Sequence, residues 1–124
     1  FTYRQEKTKM PSPFQTRVVA QQMAGGPPGI NNEALAGNKT LVDSDKRHQR
    51  LDPGGSHRDV VLPAEEGSQG REFWIWNSAN AAENLVVKDD AGSTIGTLNE
   101  NDNGCFVCTG SAWILCNVAT GTIS

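Results

Sequence analysis

The chain has 124 residues, of which 36% are apolar, and its formal net charge is −3. This length suits a single domain, and the apolar share lies below the roughly 45–50% of an average globular protein. No segment approaches the roughly 18 consecutive apolar residues of a membrane span, and no signal-peptide pattern is present, so we expect no membrane partner. Because the first residue is Phe1 rather than Met, we expect a processed or partial product and leave open what precedes it.

Residues 1–37 are predicted to form an extended N-terminal arm. Four prolines interrupt any helix or strand in this segment, and its hydrophobic residues come in small clusters that suit separate pockets of a partner. Such a segment cannot by itself offset a backbone ordering entropy of about 1–2 kcal/mol per residue. We therefore expect it to lie along another protein chain, although it could also wrap on its own body. The expected contact residues are Phe1, Tyr3, Arg4, Lys7, Lys9, Phe14, Arg17 and Val18.

The charges of the chain are distributed unevenly. Residues 1–37 contain four basic and two acidic side chains, whereas the remainder contains seven basic and twelve acidic ones. This excess is too small for nucleic-acid binding, which usually shows as a basic stripe on a domain with a pI above about 9. The pattern therefore predicts no direct nucleic-acid partner, and it favours docking of the basic arm on an acidic protein surface.

Residues 38–124 are predicted to form an all-β domain. Short runs rich in Val, Ile, Thr and aromatic residues alternate with turn residues at intervals of about ten. About eight short strands in this length predict a small β-sandwich, jelly roll or barrel. The predicted strands are Lys39–Val42, Arg47–Leu51, Asp59–Leu62, Glu72–Trp76, Leu85–Lys88, Thr94–Leu98, Cys105–Thr109 and Ala112–Asn117. The segment Asn77–Glu83 could be one helical turn or an irregular connection.

Two of these strands are apolar on both faces. Phe73 and Ile75 point to one side of their strand while Trp74 and Trp76 point to the other, and the run after Ala112 shows the same division. Such a strand either lies between two layers or has its outer face covered by another subunit. We expect an oligomer in which Trp74, Trp76 and Trp113 are interface anchors, with a role in the core as the alternative.

The sequence contains no convincing catalytic or metal-binding motif. Histidines and carboxylates crowd in one region only, and neither histidine has the spacing that brings two imidazoles to one metal ion. This region contains Asp43, Asp45, His48, Asp52, His57 and Asp59. We therefore expect no catalytic residues, no metal and no cofactor, and we expect that the protein is not an enzyme.

The three cysteines are an odd number in a short chain, which argues against a disulfide framework and favours a reducing compartment. Cys105 and Cys108 form a CxxC pattern, but an offset of three in a strand directs the two side chains to opposite faces. We interpret them as ordinary buried thiols.

The run from Leu51 to Trp113 resembles a small β-domain that recurs in structural proteins of tailed bacteriophages, in particular head decoration (cement) proteins and related fibre modules. The resemblance covers about half of the chain and consists of turn and core patterns. It is carried by Leu51–Gly55, Arg58–Pro63, Phe73–Asn77, Leu85–Ile95 and Cys108–Trp113.

This resemblance implies a homotrimeric virion protein that is made in the host cytoplasm and sits on the outer capsid surface. Its arms would reach across neighbouring subunits of the major capsid protein and clamp them against the pressure of packaged DNA. The alternative is a receptor- or glycan-binding module of a tail fibre, in which Trp74 and Trp76 would form a stacking platform for a sugar.

Overall fold

A computed structural model describes residues 25–120 of the chain, and this region is all-β with no helix. The eight arm residues that were predicted to contact a capsid all lie outside the described residues. The nine strands are β1 (Ile30–Ala34), β2 (Lys39–Thr40), β3 (His48–Asp52), β4 (Arg58–Val61), β5 (Glu72–Asn77), β6 (Leu85–Lys88), β7 (Thr94–Leu98), β8 (Asp102–Cys108) and β9 (Trp113–Thr120).

The strands form two mixed sheets, of five strands in the order β9-β8-β5-β3-β1 and of four strands in the order β2-β4-β6-β7. From β1 to β6 the chain alternates between the two sheets, so successive strands of one sheet are parallel neighbours. The last three strands pair antiparallel instead. The chain thus passes from the five-stranded sheet to the four-stranded sheet three times from β1 to β6. Strand β7 then joins the four-stranded sheet, and β8 and β9 join the five-stranded sheet.

One hydrophobic core lies between the two sheets. The five-stranded sheet contributes Leu51, Phe73, Ile75 and Phe106, and the four-stranded sheet contributes Val60, Leu85, Val87 and Leu98. All eight side chains are fully buried. They occupy alternate positions along their strands, as the period of two requires, so the neighbouring side chains of the same strands face outward.

All eight predicted strands are present, six of them with ends shifted by one to three residues, and the all-β prediction is confirmed. The arm boundary at residue 37 requires a correction, because Ile30–Ala34 forms β1 on the edge of the five-stranded sheet and Leu35 is buried in the core. Described residues 25–37 therefore pack on their own subunit. The prediction missed β1 because its sequence, INNEA, lacks alternating apolar residues, and an edge strand with little burial does not need them.

The irregular segment between β5 and β6 is organised by the buried amide of Asn77. Its Nδ2 atom donates to the carbonyl oxygens of Glu83 and Leu98 at 2.8 and 2.9 Å, and its Oδ1 atom accepts from the backbone N–H of Ala79. These bonds satisfy backbone groups of the connection and link it to the end of β7. The segment is therefore an irregular connection without a helical turn.

Arg71 fixes the start of the described chain to the sheet. Its buried guanidinium donates from Nη1 to the carbonyl oxygens of Gly25 and Glu72 at 3.2 and 2.7 Å, and from Nη2 to those of Asp43 and Asp45. It also stacks on the Phe73 ring, with Cζ 3.9 Å from the ring centroid. A side chain at position 26, where φ is +121°, would collide with this guanidinium, so the site requires glycine.

We expect Arg71→Met to lower the free energy of unfolding by about 3 kcal/mol, because four carbonyl groups lose a charged donor whose bonds contribute about 1.5–3 kcal/mol each. Methionine retains the length of the side chain and contact with Phe73. Arg50→Met is the matched control: Arg50 lies over the Trp76 ring, and its loss should cost below about 1 kcal/mol. Urea unfolding of the two variants measures the difference, and equal losses would contradict the bracing role of Arg71.

Candidate interaction surface

The outward-facing residues of the five-stranded sheet form the most distinctive surface of the described chain. Strand register places Ile30 beside His48, His48 beside Trp74, and Trp74 beside Cys105. We call this the cross-strand row, and it is completed on β9 by Asn117, the register partner of Cys105, with Cys116 as the adjacent bulge residue. Laterally paired residues share one face of a sheet, so the row runs across all five strands.

The centre of the row is aromatic. The rings of His48 and Trp74 stack with their centroids 6.3 Å apart and an angle of 25° between their planes. Trp74 remains 41% exposed although it is flanked on both sides by strands, and its Nε1 atom donates to the Glu72 carboxylate at 3.2 Å. Ile30 at the β1 end of the row is 48% exposed. The row therefore presents aromatic and aliphatic surface to the outside of the subunit.

A second row of residues borders the first. Asn32, Arg50, Trp76 and Asn103 are register neighbours on β1, β3, β5 and β8. The Arg50 guanidinium lies over the Trp76 ring, with Cζ 5.4 Å from the ring centroid. Together the two rows enclose a shallow groove of about 280 Å³, which is lined chiefly by Ile30, His48, Arg50, Trp74, Trp76 and Asn103. This groove combines exposed aromatic surface with a cation and an amide.

Strand β9 extends the apolar surface to the opposite edge of the same sheet. Its eight residues include none that is charged. Ile114, the register partner of Val107, lies on the outer face and is 50% exposed, whereas Leu115 and Val118 pair with Phe106 and Gly104 and are 36% and 40% exposed on the opposite face of the strand. Within the described chain, β9 pairs on one side with β8, and its other side is an edge. Long, uncharged and apolar edge strands are normally covered by another segment or subunit.

The three tryptophans do not share one environment. Trp74 and Trp76 lie on the outer face, as the alternation predicted, whereas Trp113 is 3% exposed and belongs to the core. Its ring packs 5.9 Å from that of Phe73, and its Nε1 atom donates to the carbonyl oxygen of Pro63 at 2.8 Å. The assignment of Trp113 to a subunit interface is therefore corrected: β9 directs this side chain between the two sheets, where no partner subunit can reach it.

The histidines and carboxylates that crowd in the sequence are separated in the structure. His48 belongs to the cross-strand row, while His57 lies in the loop before β4 and accepts from the backbone N–H of Asn84 at 2.9 Å. Asp59 pairs with Lys88 at 3.1 Å, and Asp43 accepts from the Ser68 hydroxyl at 3.0 Å. No group of three or more His, Cys, Asp or Glu that could hold a metal ion occurs in residues 25–120.

The CxxC cysteines point in opposite directions, as predicted. Cys105 lies on the outer face beside Trp74, and Cys108 is directed inward to the core. Both thiols are free and buried, whereas the thiol of Cys116 is free and exposed. Burial raises the pKa of the Cys108 thiol from its ordinary value.

Sequence reasoning found Trp74 and Trp76 but missed their partners in the groove. Ile30 was assigned to the arm, and His48 was considered only as a candidate catalytic or metal-binding residue. The signal that joins them is strand register, which a single sequence does not display. In the described residues, no helix is long and apolar enough to cross a bilayer.

No protein-family model, curated protein or solved structure matches the chain.

We expect Trp113→Ala to lower the free energy of unfolding by about 3–5 kcal/mol, because it leaves a cavity in the core and an unpaired Pro63 carbonyl group. Trp74→Ala should cost below about 1 kcal/mol, since much of this indole already contacts water. Urea denaturation compares the two variants. If Trp74→Ala were as costly as Trp113→Ala, Trp74 would be a core residue and the outer face would not be available to a partner.

Proposed function

We propose that this chain is a virion structural protein, a capsid decoration protein whose β-body self-associates and whose N-terminal residues 1–24 bind neighbouring subunits of the major capsid protein. The protein acts mechanically in this proposal, without catalysis. The homotrimeric state follows from the resemblance to bacteriophage decoration domains. The resemblance also suggests the outer capsid surface as its location.

The exposed aromatic surface of the cross-strand row carries the proposal of self-association. Monomeric proteins seldom leave large contiguous apolar patches in water, and aromatic residues dominate the energetics of protein interfaces. Here Ile30 and Trp74 are both nearly half exposed, although the core side chains of the same sheet are fully buried. A second copy that covered this row would bury side chains that now contact solvent.

The uncharged edge at β9 supports the same proposal. The opposite edge strand, β1, carries Glu33, which forms an ion pair with Lys39 at 2.8 Å. Charges of this kind discourage pairing of one edge with another, and β9 has none. The surface that is open to a neighbour thus extends from the aromatic row to one edge of the sheet.

The position of Gly25 connects the N-terminal segment to this sheet. The Gly25 carbonyl oxygen accepts from the backbone N–H of Glu72 at 2.9 Å as well as from Arg71, so the described chain begins beside β5. A chain of 24 residues can span at most about 80 Å. These residues contain four basic side chains and one acidic one, which suits an acidic protein surface.

Several such segments on one oligomer would bind several capsid subunits at once. Each bound segment would hold the others at a high effective concentration, so the assembly would bind more tightly than any single segment. Self-association and clamping are thus linked, because the oligomeric body holds several N-terminal segments together and each segment binds a capsid subunit.

The self-association is tested by the mass of the protein in solution. We expect a trimer from sedimentation equilibrium of the wild-type chain, and we expect Trp74→Lys to weaken association about 30-fold, since truncating an interface anchor costs about 2 kcal/mol or more. Thr97→Lys is the matched control, because it adds the same charge at an exposed position of the four-stranded sheet. It should leave the mass unchanged.

A wild-type chain that remains monomeric at high concentration would overturn the proposal of self-association.

The exposed groove between Trp74 and Arg50 favours one other function, that of a glycan-binding module, because sugars stack on exposed aromatic rings. Binding of the monomer to a glycan array, abolished by Trp74→Ala, would establish that alternative.

The clamping is tested with capsid shells from the virion that carries this protein. Deletion of residues 1–20 retains the described packing of residues 25–120, so the thermal midpoint should be unchanged. Cosedimentation with the shells should weaken about a hundredfold or more, because multivalent attachment is lost. Replacing Arg4, Lys7, Lys9 and Arg17 by Gln should remove the salt dependence of binding. Full binding by the truncated chain would contradict the clamp.

A further inference from the structure

Cys105 and Cys116 meet across β8 and β9 at an irregularity in the strand pairing. Leu115 is paired with Phe106 and Asn117 with Cys105, so Cys116 is the extra residue of a β-bulge. In a bulge of this kind two residues of one strand face a single residue of the other. Cys116 and Asn117 therefore both face Cys105, and the Cys116 thiol is brought to the outer side of the sheet where Cys105 lies.

The two thiols are close enough to interact directly. Burial raises the pKa of Cys105 from its ordinary value of 9.0 to about 12, with a smaller contribution in the same direction from its contact with the Cys116 side chain. One member of the pair is buried and the other is exposed. An oxidant in solution can thus reach Cys116, while Cys105 is held as its protonated neighbour.

We propose that Cys105 and Cys116 form an intramolecular disulfide when the chain is exposed to a peroxide. The bond would join two adjacent strands at the bulge, where Cys116 and Asn117 together face Cys105. Facing residues of antiparallel strands lie about 4.5–5.5 Å apart, which is within the range of Cα separations that disulfides tolerate. This inference does not rest on the proposed capsid role, although a neighbouring subunit seated on β9 would slow the reaction by covering Cys116.

The reaction is balanced by the reduction of the peroxide. The Cys116 thiolate attacks one peroxide oxygen, the O–O bond breaks, and Cys116 becomes a sulfenic acid while hydroxide leaves. The Cys105 sulfur then attacks the Cys116 sulfur and forms the S–S bond. The displaced hydroxide takes the Cys105 proton and leaves as water. Overall, two thiols lose two electrons and hydrogen peroxide becomes two molecules of water.

Cys108 is excluded from this chemistry by its position. It is directed inward, where its Sγ atom lies 3.6 Å from the Glu65 carbonyl oxygen and accepts from the backbone N–H of Gly110 at 3.4 Å. The sheet separates it from the outer side on which Cys105 and Cys116 meet. The CxxC pattern in the sequence therefore suggests the wrong pair, and the oxidisable pair is Cys105 with Cys116.

The disulfide would fasten the edge strand to the body. It would close the segment between residues 105 and 116, which includes the hairpin turn before β9, and so reduce the freedom of the unfolded chain. We therefore expect the oxidised chain to have a higher thermal midpoint than the reduced chain, and dithiothreitol should reverse the change. Trp74 is the register neighbour of Cys105, so its fluorescence should decrease on oxidation.

The experiment treats the native, fully reduced full-length chain with hydrogen peroxide, blocks the remaining thiols with N-ethylmaleimide, and measures its mass. We expect the loss of two hydrogen atoms and one remaining blocked thiol per chain. Chymotrypsin, which cleaves after Phe106 and Trp113, then places the three cysteines on separate peptides. Without reduction, the peptides of Cys105 and Cys116 should remain joined.

Matched variants identify the pair. Cys108→Ser should form the same crosslink, whereas Cys116→Ser should retain both remaining thiols. The Trp74→Lys variant is expected to associate less than the wild-type chain, and its Cys105–Cys116 disulfide should form at least as readily as that of the wild type. The disulfide is therefore expected even if the protein does not self-associate. A crosslink that includes Cys108, a disulfide between two chains, or oxidation of Cys116 without a crosslink would overturn the proposal.

Discussion

The register of the five-stranded sheet determines both what the core contains and what the protein presents to other molecules. Phe73 and Ile75 on β5 fill the core, and the period of two then directs Trp74 outward. A slip of one residue would bury the tryptophans and expose the core side chains, which is a large loss of hydrophobic burial. The burial of Phe73, Ile75 and Phe106 therefore also fixes which residues line the outer groove.

The strands that could be predicted from the sequence are those in which local pattern and burial agree. Leu85–Lys88 and Thr94–Leu98 have β-branched residues between clear turns, and their predicted bounds coincide with the strands. Strand β1 could not be predicted, because a polar edge strand is stabilised by backbone pairing with β3 and leaves almost no trace in its side chains. Because β1 was missed, Ile30 was assigned to the arm and not to the outer face of the five-stranded sheet.

Site residues were harder to predict than strands because their grouping depends on pairs that are distant in sequence. Ile30, His48 and Trp74 become neighbours only through parallel pairing, and Cys116 reaches Cys105 only through a bulge. Alternation showed that Trp113 and Leu115 share one face of β9, but no sequence pattern shows which face meets the other sheet. Trp113 was consequently assigned to an interface although it is a core residue.

The two ends of the cross-strand row make different demands on a partner. At the β1 end, Ile30 and His48 offer apolar surface beside a charged edge, so association there would rely on side-chain packing. At the β9 end, an uncharged edge strand also offers unpaired backbone groups. Cys116 lies at this second end, and a subunit seated there would cover its thiol. Access of a peroxide to Cys116 would then report which end of the row the neighbour occupies, because only contact at β9 would protect it.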